Sequence, residues 1–410
     1  MSKRVVISGL GIVSPVGIGR EAFWTSLTNG RTGIKPITLF DTAELRCKTA
    51  GEITEFDAPS ALPGMKTGAL NRTAQLVCAA AKLGLDDARI ELDATTKPRI
   101  GVMIGNTLGS MHTASEFDRG ALKGGFIAAS PMDFANTIAI TTAGYISVLF
   151  GVSAFNSVIS SGELSSLNAI EYGASFVRSG HADMVLAGGV EAVSMETYLI
   201  NYLPKFLSGS TPGQREFSAP FGNGRNGFVL GEAGAVVVLE DYDHAVSRGA
   251  TIYAEVRSFG TAFDHQAFYS SSPHSVALTK AMNSAIKRSR LSPDDIDHVS
   301  ACANSSIVID QSEATAIRNV FGSRTEQLQI SAIKSMTGEP FSASAGVQVC
   351  AASMALHEGV VPPTINCEDP DPNCDVPLFS ESREVRIKTA LVSTVSTSGL
   401  AGALVLGAAP

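Results

Sequence analysis

Short runs of β-branched and aliphatic residues alternate with longer alanine-rich segments along the chain. Runs that stay apolar at successive positions predict strands buried on both faces, and the segments between them predict covering helices. The predicted strands are 5–7, 100–104, 184–186, 235–239, 252–256 and 390–392. The clearest predicted helices are 72–85 and 342–357, and the second is so rich in small and apolar residues that burial on most sides is expected. The pattern therefore indicates a layered α/β fold.

The order of these segments divides the chain into two similar halves, residues 1–250 and 251–410. Each half runs from a strand through a glycine-rich turn to a helix and another strand. The stretch 360–377 is rich in Pro, Asp and Asn, which predicts a long surface loop. Gly9 and Gly11 suggest a nucleotide-binding turn, but Ser14 stands where a third glycine is needed. No dinucleotide site is therefore expected.

Composition and charge exclude several classes of function. Of 410 residues, 17% are charged and 39 are glycine, which suggests a large core and a large subunit interface. The net charge of −8 argues against nucleic-acid binding, which needs a basic face. The chain has no run of about 20 apolar residues, and its N-terminus lacks the apolar region of a signal peptide. We therefore expect a cytoplasmic protein without a membrane span.

The cysteines are scattered and show no CxxC or Cys/His pair with metal-ligand spacing. They are Cys47, Cys78, Cys302, Cys350, Cys367 and Cys374. Reduced thiols and no bound metal are therefore expected.

One six-residue segment carries the strongest functional signal. Residues 157–162, here called the elbow, read Ser-Val-Ile-Ser-Ser-Gly. They resemble the Thr-Ala-Cys-Ser-Ser-Gly elbow of β-ketoacyl synthases, the thiolase-fold enzymes that extend fatty acids and polyketides. Similar matches occur along the whole chain, in the opening run 5–17, in 225–232 (with Asn226 where the family usually has Asp) and in Lys-Ser-Met-Thr-Gly-Glu at 334–339. The resemblance implies a thiolase-like fold of two similar halves in a layered α-β-α-β-α arrangement.

The resemblance also implies three catalytic groups, all of which are replaced in this chain. In the family, a cysteine at a helix N-terminus takes the acyl chain from an acyl carrier protein, and two histidines stabilise the enolate formed on decarboxylation. Here Ile159 replaces the cysteine, Cys302 the first histidine and Glu339 the second. Isoleucine has no lone pair to attack a thioester. An ionised Glu339 would repel an enolate by about 4 kcal/mol at ~4 Å with an effective dielectric of ~20.

Charged residues near the replaced positions still match the family. Asp310 and Glu313 match acidic positions after the first histidine motif, and Lys334 matches the lysine of the second. The resemblance implies a charged network beneath the site, which we interpret as structural. A buried lysine needs a carboxylate partner because an unpaired buried charge is expensive. Glu313 is the favoured partner of Lys334, and Glu339 is the second candidate.

These replacements favour a chain-length factor, the inactive ketosynthase-like β subunit of type II polyketide synthases. Such subunits pair with an active ketosynthase subunit, and the pair forms a tunnel that limits chain growth. The segment 396–402, Ser-Thr-Ser-Gly-Leu-Ala-Gly, agrees with this because it lacks both phenylalanines of the matching family run. No cofactor of the chain's own is implied, since phosphopantetheine arrives on the acyl carrier protein. Acyl carrier proteins are acidic, and the active ketosynthase subunit is expected to supply most of the basic surface that binds them.

The resemblance places the tunnel wall in residues 105–134, since the matching family segment limits chain length with bulky side chains. The best candidates are Phe117, Thr113 and Ser110, with Met111, Met132 and Phe134 as neighbours. The alternative for Phe117 and Met132 is that both are ordinary core residues.

Two other functions remain open. One is a homodimeric scaffold that binds acyl chains or carrier protein without a catalytic partner. The other is an enzyme with new chemistry, in which Cys302 and Glu339 act as nucleophile and base with help from Ser160, Ser161 and Glu163. The second is disfavoured because a cysteine without a nearby histidine or other cation is usually a neutral thiol.

Overall fold

The structure, a computed structural model, describes residues 3–266 and 275–409. Met1, Ser2 and Pro410, which belong to the two predicted halves, lie outside the described residues, as does the segment 267–274. None of the described helices is both long enough and apolar enough to cross a membrane.

Strands and helices alternate through most of the described chain. The strands are β1 (Val5–Ser14), β2 (Gly17–Ile18), β3 (Ile34–Pro36), β4 (Thr49–Gly51), β5 (Ile100–Gly105), β6 (Asn156–Ile159), β7 (Met184–Glu191), β8 (Ala233–Asp241), β9 (Ala254–Phe263), β10 (His298–Ser300), β11 (Gln329–Ser331), β12 (Val360–Val361), β13 (Arg383–Glu384), β14 (Thr389–Val395) and β15 (Leu400–Gly407). The helices are α1 (Arg20–Thr28), α2 (Ala58–Ala61), α3 (Arg72–Asp87), α4 (Met111–Gly124), α5 (Pro131–Asn136), α6 (Thr141–Phe150), α7 (Ser165–Arg178), α8 (Met195–Tyr202), α9 (Tyr242–Ser247), α10 (Ser275–Arg288), α11 (Ile307–Phe321), α12 (Lys334–Thr337) and α13 (Ser344–Glu358).

One large mixed sheet runs through both halves of the chain. Its strand order is β11-β10-β14-β15-β9-β1-β8-β7-β5-β6, and β2 pairs with β1. The halves join where β1 pairs antiparallel with β9, with Val5 opposite Val256. Towards the two ends of the sheet, β5 pairs in parallel with β6 and β7, and β10 pairs in parallel with β11 and β14. The strand β6, which ends at Ile159, lies at one edge.

Helices form three layers around the sheet. The central helices α7 and α13 contact each other and strands of both halves. Their side chains share one hydrophobic core with residues of β1, β7, β8 and β14. The helices α3 and α6 cover the N-terminal part of the sheet from outside, and α10 and α11 cover the C-terminal part. When the N-terminal and C-terminal parts of the sheet are counted as separate layers, the order is helix, sheet, helix, sheet, helix, the arrangement that the family resemblance implied.

The run Gly9–Gly11 is not a turn, because β1 continues through it to Ser14. Both glycines lie under α3. A Cβ atom on Gly11 would lie 1.8 Å from the carbonyl oxygen of Ala80, and one on Gly9 would lie 2.4 Å from that of Gly84. The glycines therefore let the backbones of β1 and α3 approach closely, which a larger residue would prevent.

Two predicted boundaries need correction. The strand predicted at 252–256 begins at Ala254 and extends to Phe263. The stretch 360–377 is not simply a surface loop, because Thr364 and Cys374 are fully buried. The Thr364 hydroxyl accepts a hydrogen bond from the Ala332 amide at 2.9 Å, and Cys374 packs in the core beside α11. The helix α13 agrees with the prediction, since every residue from Ser344 to Leu356 is buried.

Replacing Gly11 with alanine should lower the thermal midpoint of unfolding. The added methyl group overlaps the Ala80 carbonyl, and overpacking of this kind costs roughly 1–3 kcal/mol or more. The matched control is Gly68→Ala, because no atom lies within 4 Å of a Cβ at that position. Equal midpoints for the two variants, measured by circular dichroism, would contradict the close approach of α3 to β1.

Candidate functional site

The elbow lies between the edge strand β6 and the central helix α7. Ile159 is the last residue of β6, where it pairs with Gly105 and packs against the central core. Its carbonyl oxygen accepts a hydrogen bond from the Asn106 amide at 3.0 Å. An aliphatic side chain here fills space and offers no group that could hold an acyl chain.

Hydrogen bonds from the first turn of α7 engage the backbone of the elbow and the hydroxyl group of Ser161. Ser165 Oγ donates to the Gly162 carbonyl at 2.6 Å and accepts from the Ser161 amide at 2.9 Å. Asn168 donates to Ser161 Oγ at 2.9 Å. These bonds fix the turn that leads into α7. They do not activate a serine, because none of them places a general base beside a hydroxyl group.

Cys302 lies in the loop after β10 and is 2% exposed. Its amide donates to Glu313 Oε1 at 2.9 Å, and its carbonyl oxygen accepts from Lys334 Nζ at 2.9 Å. Burial, followed by the charge of Glu313, raises the pKa of the Cys302 thiol well above its usual value. The thiol is therefore neutral near pH 7 and is not an activated nucleophile.

Lys334 forms a buried ion pair with Glu339, and the expectation that Glu313 would be its partner is wrong. Lys334 Nζ lies 2.7 Å from Glu339 Oε2, which also accepts from Asn304 Nδ2 at 2.8 Å. The other oxygen of Glu339 accepts from the Phe341 amide at 3.0 Å and from the Ser344 hydroxyl. Burial opposes the charge of Lys334, but Glu339, Cys302 and Glu313 together outweigh it, so the pKa of Lys334 is raised.

Glu313 is unavailable to Lys334 as a direct partner because it holds the loop that contains Cys302. Its two oxygens accept from the amides of Cys302 and Ala303 at 2.9 and 2.7 Å, and one also accepts from the Ser393 hydroxyl. Since Glu313 already has three donors, a lysine is not needed to satisfy it. Burial raises the pKa of Glu313, although these donors oppose the shift.

Asp310 holds the next part of the same loop from one turn earlier in α11. Its oxygens accept from the amides of Asn304 at 2.9 Å, Ser305 at 3.2 Å and Phe221 at 2.8 Å. Arg225 Nε is 3.5 Å away. Ser305 has a φ of 81°, which is uncommon for a residue other than glycine. Asp310, Glu313 and Lys334 thus converge on residues 302–305 and fix the backbone of the loop.

Two further buried carboxyl groups lie close to this network. Glu163, which directly follows the elbow, is hydrogen-bonded to Ser396, and burial raises its pKa. Glu191, the last residue of β7, accepts from the Ser342 hydroxyl at 2.7 Å and from the Leu108 amide at 3.2 Å. Burial raises the pKa of Glu191 to about 7. Sequence reasoning missed Glu191, although an acidic residue that ends an otherwise apolar strand was an available signal.

The predicted tunnel residues lie on the surface of the described chain. Met132 and Phe134, on α5, are 62% and 55% exposed, so Met132 is not a core residue. Phe117, on α4, is half-buried, and its ring centroid lies 5.7 Å from that of Phe134. Ser110 and Met111 lie at the start of α4. Thr113 lines a cavity of about 330 Å³ beside Leu108 and Arg72.

One group in the described part of the chain has the spacing of a metal site. Ligand atoms of His112, Glu116 and Glu196 all lie within 4.8 Å of one another. His112 Nδ1 is 3.0 Å from Glu196 Oε2, and Glu116 pairs with Arg119 at 2.9 Å. Because His112 and Glu116 are exposed and each carboxylate already has a partner, we interpret the group as surface ion pairs.

Glu191 should make the stability of the chain fall as the pH rises from about 4.5 to about 7. The pKa of Glu191 is raised above its unfolded value, so its contribution is fully present below about pH 4 and is lost as the pH rises through about 7. The expected loss is on the order of 3 kcal/mol at pH 8.5. Glu191→Gln should flatten the dependence of the thermal midpoint on pH, whereas Glu381→Gln, at an exposed position, should not. An unchanged profile in Glu191→Gln would contradict the role of this carboxyl group.

Comparison with known proteins identifies the family. Residues 2–245 match the N-terminal domain of β-ketoacyl synthases, and residues 253–368 match the C-terminal domain. The chain is 32% identical over 406 residues to a 3-oxoacyl-[acyl-carrier-protein] synthase 2 of Coxiella burnetii, covering 98% of both proteins. It is 33% identical over 412 residues to the tetracenomycin polyketide synthase ketoacyl synthase alpha subunit of Streptomyces glaucescens, covering 98% of this chain and 97% of that protein.

Solved structures agree with this assignment. The ishigamide ketosynthase/chain length factor superposes with a TM-score of 0.93 at 26% identity, covering all of both chains. AntDE:AntF, a type II PKS acyl-carrier protein in complex with its ketosynthase bound to the hexaketide, gives a TM-score of 0.90 at 26% identity, again covering all of both chains. With its thiolase-like fold and both domain matches, this chain belongs to the β-ketoacyl synthase family.

Proposed function

We propose that this chain is a chain-length factor, a catalytically disarmed subunit that pairs with an active β-ketoacyl-ACP synthase and shapes the tunnel for the growing polyketide. The observation that carries the proposal is the buried Lys334–Glu339 ion pair. It occupies the position of the second catalytic histidine with a carboxylate whose two oxygens already have four donors. Together with Ile159 at the elbow, it leaves neither an acyl acceptor nor a stabiliser for an enolate.

The neutral thiol of Cys302 argues against new chemistry in the old site. Its sulfur is buried, and Glu313 raises the pKa of the thiol. Lys334 is the nearby cation, but its ammonium group is bound to the Cys302 carbonyl oxygen and to Glu339. An enzyme that used this cysteine would have to rebuild the whole charged network.

Pairing with another subunit is supported by an exposed apolar surface around the edge strand β6. Side chains from residues 122 to 148 on α4, α5, α6 and the segments between them are 46–101% exposed. They are Leu122, Ile127, Met132, Phe134, Ile138, Ile140 and Val148. We call this set the apolar face. Many exposed apolar side chains beside an unpaired strand edge are typical of a protein interface.

The tunnel candidates lie within or beside the apolar face. Met132 and Phe134 belong to the face, and Phe117 packs against Phe134. A partner seated on the face would bury these side chains and enclose the space between the subunits. The substrate would arrive on the phosphopantetheine arm of an acyl carrier protein. The chain length would then depend on the volume of these side chains.

The native mass of the chain, purified alone and after co-expression with the ketosynthase encoded beside it, tests the pairing. We expect a one-to-one heterodimer that forms only on co-expression. Val148→Asp, at a position that is 78% exposed in the apolar face, should weaken it, because burial of an unpaired carboxylate is costly. The control Val246→Asp, 53% exposed on α9, should leave it intact.

A stable homodimer that ignores the ketosynthase would contradict the pairing and favour the scaffold. Condensation of malonyl-carrier substrate by this chain alone would contradict the disarmed site itself. That activity would instead match the synthases named among its relatives.

Shrinking Phe117 should lengthen the products of the heterodimer. Phe117→Ala removes an aromatic ring from the proposed end of the tunnel, so mass spectrometry should show products longer by at least one two-carbon unit. Phe263→Ala, which alters an exposed ring on β9, is the matched control. Products of unchanged length from Phe117→Ala would rule out this wall of the tunnel.

A further inference from the structure

Basic side chains are concentrated in a pocket at the end of α7 that lies far from the elbow. The pocket has a volume of about 330 Å³. Its basic lining consists of Lys3, Arg4, Arg178, Arg257, Arg288 and Arg290. Such a concentration runs against the net charge of −8 of the whole chain. We call this cavity the arginine pocket.

The arginine pocket is separate from both the elbow and the apolar face. It forms where β1 begins at Val5, where α7 ends at Arg178 and where α10 ends at Arg288. The helix α7 starts beside the elbow and has 14 residues, so its two ends lie about 21 Å apart. Three strands, β8, β7 and β5, separate β1 from the edge strand β6. A subunit seated on the apolar face would leave this pocket open.

Glu255 neutralises only part of the charge in the pocket. It accepts two hydrogen bonds from Arg4, at 2.8 and 3.1 Å, and lies 3.7 Å from Arg257 Nε. Arg178 and Arg288 donate instead to the carbonyl oxygens of Val256 and Phe259. Lys3 pairs outside the pocket, with Asp241 at 3.4 Å.

Three guanidinium groups therefore lack an acidic partner. Within residues 3–266 and 275–409, no carboxylate lies within ion-pair distance of Arg178, Arg288 or Arg290. Glu171 lies within the electrostatic field of Arg178 and Arg288, and Glu255 within that of Arg178, but neither carboxylate makes an ion pair with these two arginines. Burial lowers the pKa of the Arg178 guanidinium, as expected for a cation whose charge is incompletely balanced.

Helix ends alone do not account for the pocket. Arg178 and Arg288 are the last residues of α7 and α10, where a cation is favoured by the helix dipole. Arg257 lies on β9, and Arg290 follows α10 with a φ of 62°. Neither Arg257 nor Arg290 lies in the last turn of a helix, where the dipole would stabilise its charge. The pocket therefore gathers cations that no local rule places together.

We propose that the arginine pocket binds a small anion that carries two neighbouring phosphate groups. A guanidinium group offers a planar pair of donors that matches the oxygens of a phosphate. Three such groups without acidic partners match the charge of a diphosphate better than that of a single phosphate. The ring of Tyr242 is covered by Arg4, 4.5 Å from its centroid. The described lining of the pocket contains no aromatic residue, so recognition rests on the phosphates.

Titration of the full chain with inorganic pyrophosphate in a calorimeter tests this proposal. We expect saturable one-to-one binding with a Kd on the order of tens of micromolar at about 50 mM salt. Orthophosphate should bind at least tenfold more weakly, and added NaCl should weaken both by screening. Pyrophosphate should also raise the thermal midpoint of the chain.

Variants locate the binding. The double variant Arg257→Gln with Arg290→Gln should weaken pyrophosphate binding at least tenfold. Arg290→Gln alone, at an exposed position, should also weaken it. The control is Lys287→Gln, an exposed cation on α10 that does not line the pocket. It should stay within twofold of the unaltered chain.

Three results would overturn the proposal. The first is the absence of saturable pyrophosphate binding, and the second is an equal loss in Lys287→Gln and the pocket variants. The third is tighter binding of a deca-glutamate peptide than of pyrophosphate, lost in the same variants, which would indicate an acidic protein surface as the ligand. None of these results depends on the ketosynthase partner, so they leave the proposed chain-length role untouched.

Discussion

The buried ion pair between Lys334 and Glu339 is the interaction on which the rest of the site depends. Both side chains are almost completely removed from solvent, at 5% and 1% exposure. Loss of one partner from such a pair leaves an uncompensated charge and typically costs about 3–5 kcal/mol. The lysine also holds the Cys302 carbonyl, so the pair fixes the loop after β10 as well as the start of α13 through Ser344. The Glu339 carboxylate therefore stabilises the fold around the site.

The same loop is held from its other side by α11. Asp310 and Glu313, three residues apart and therefore on one face of the helix, accept the amides of residues 302–305. An active site of this family needs a rigid backbone to place its catalytic groups. In this chain the loop is held in the same way, and the residues at the positions that resemble the catalytic ones are Ile159, Cys302 and Glu339. Retention of a supporting network without its chemistry is consistent with a subunit whose fold, rather than whose reactivity, is required.

The surface of the chain shows a matching division of roles. Its apolar face lies beside the edge strand β6, next to the replaced elbow, and presents side chains such as Ile140 and Val148 to solvent. The arginine pocket lies at the opposite end of α7, where the exposed groups are cations. Burial of apolar area favours a permanent protein partner, whereas guanidinium groups around a small cavity favour a compact anion. The two surfaces can therefore be occupied independently.

The sequence by itself determined the layered fold. Continuous apolar runs such as β1, and helices rich in small residues such as α13, are predicted to be buried from their composition alone. It also determined that residue 159 is an isoleucine, whose side chain has no nucleophilic group, since the identity of a residue needs no coordinates. The tertiary structure alone decided that Lys334 pairs with Glu339 and not with Glu313. Both carboxylates lie near the lysine, but Glu313 already accepts hydrogen bonds from two backbone amides and from the Ser393 hydroxyl. It likewise decided the exposure of Met132, which the hydrophobicity of the residue does not predict. The arginine pocket brings together the start of β1, the end of α7, the strand β9 and the end of α10, whose separations along the chain are unrelated to their distances in space.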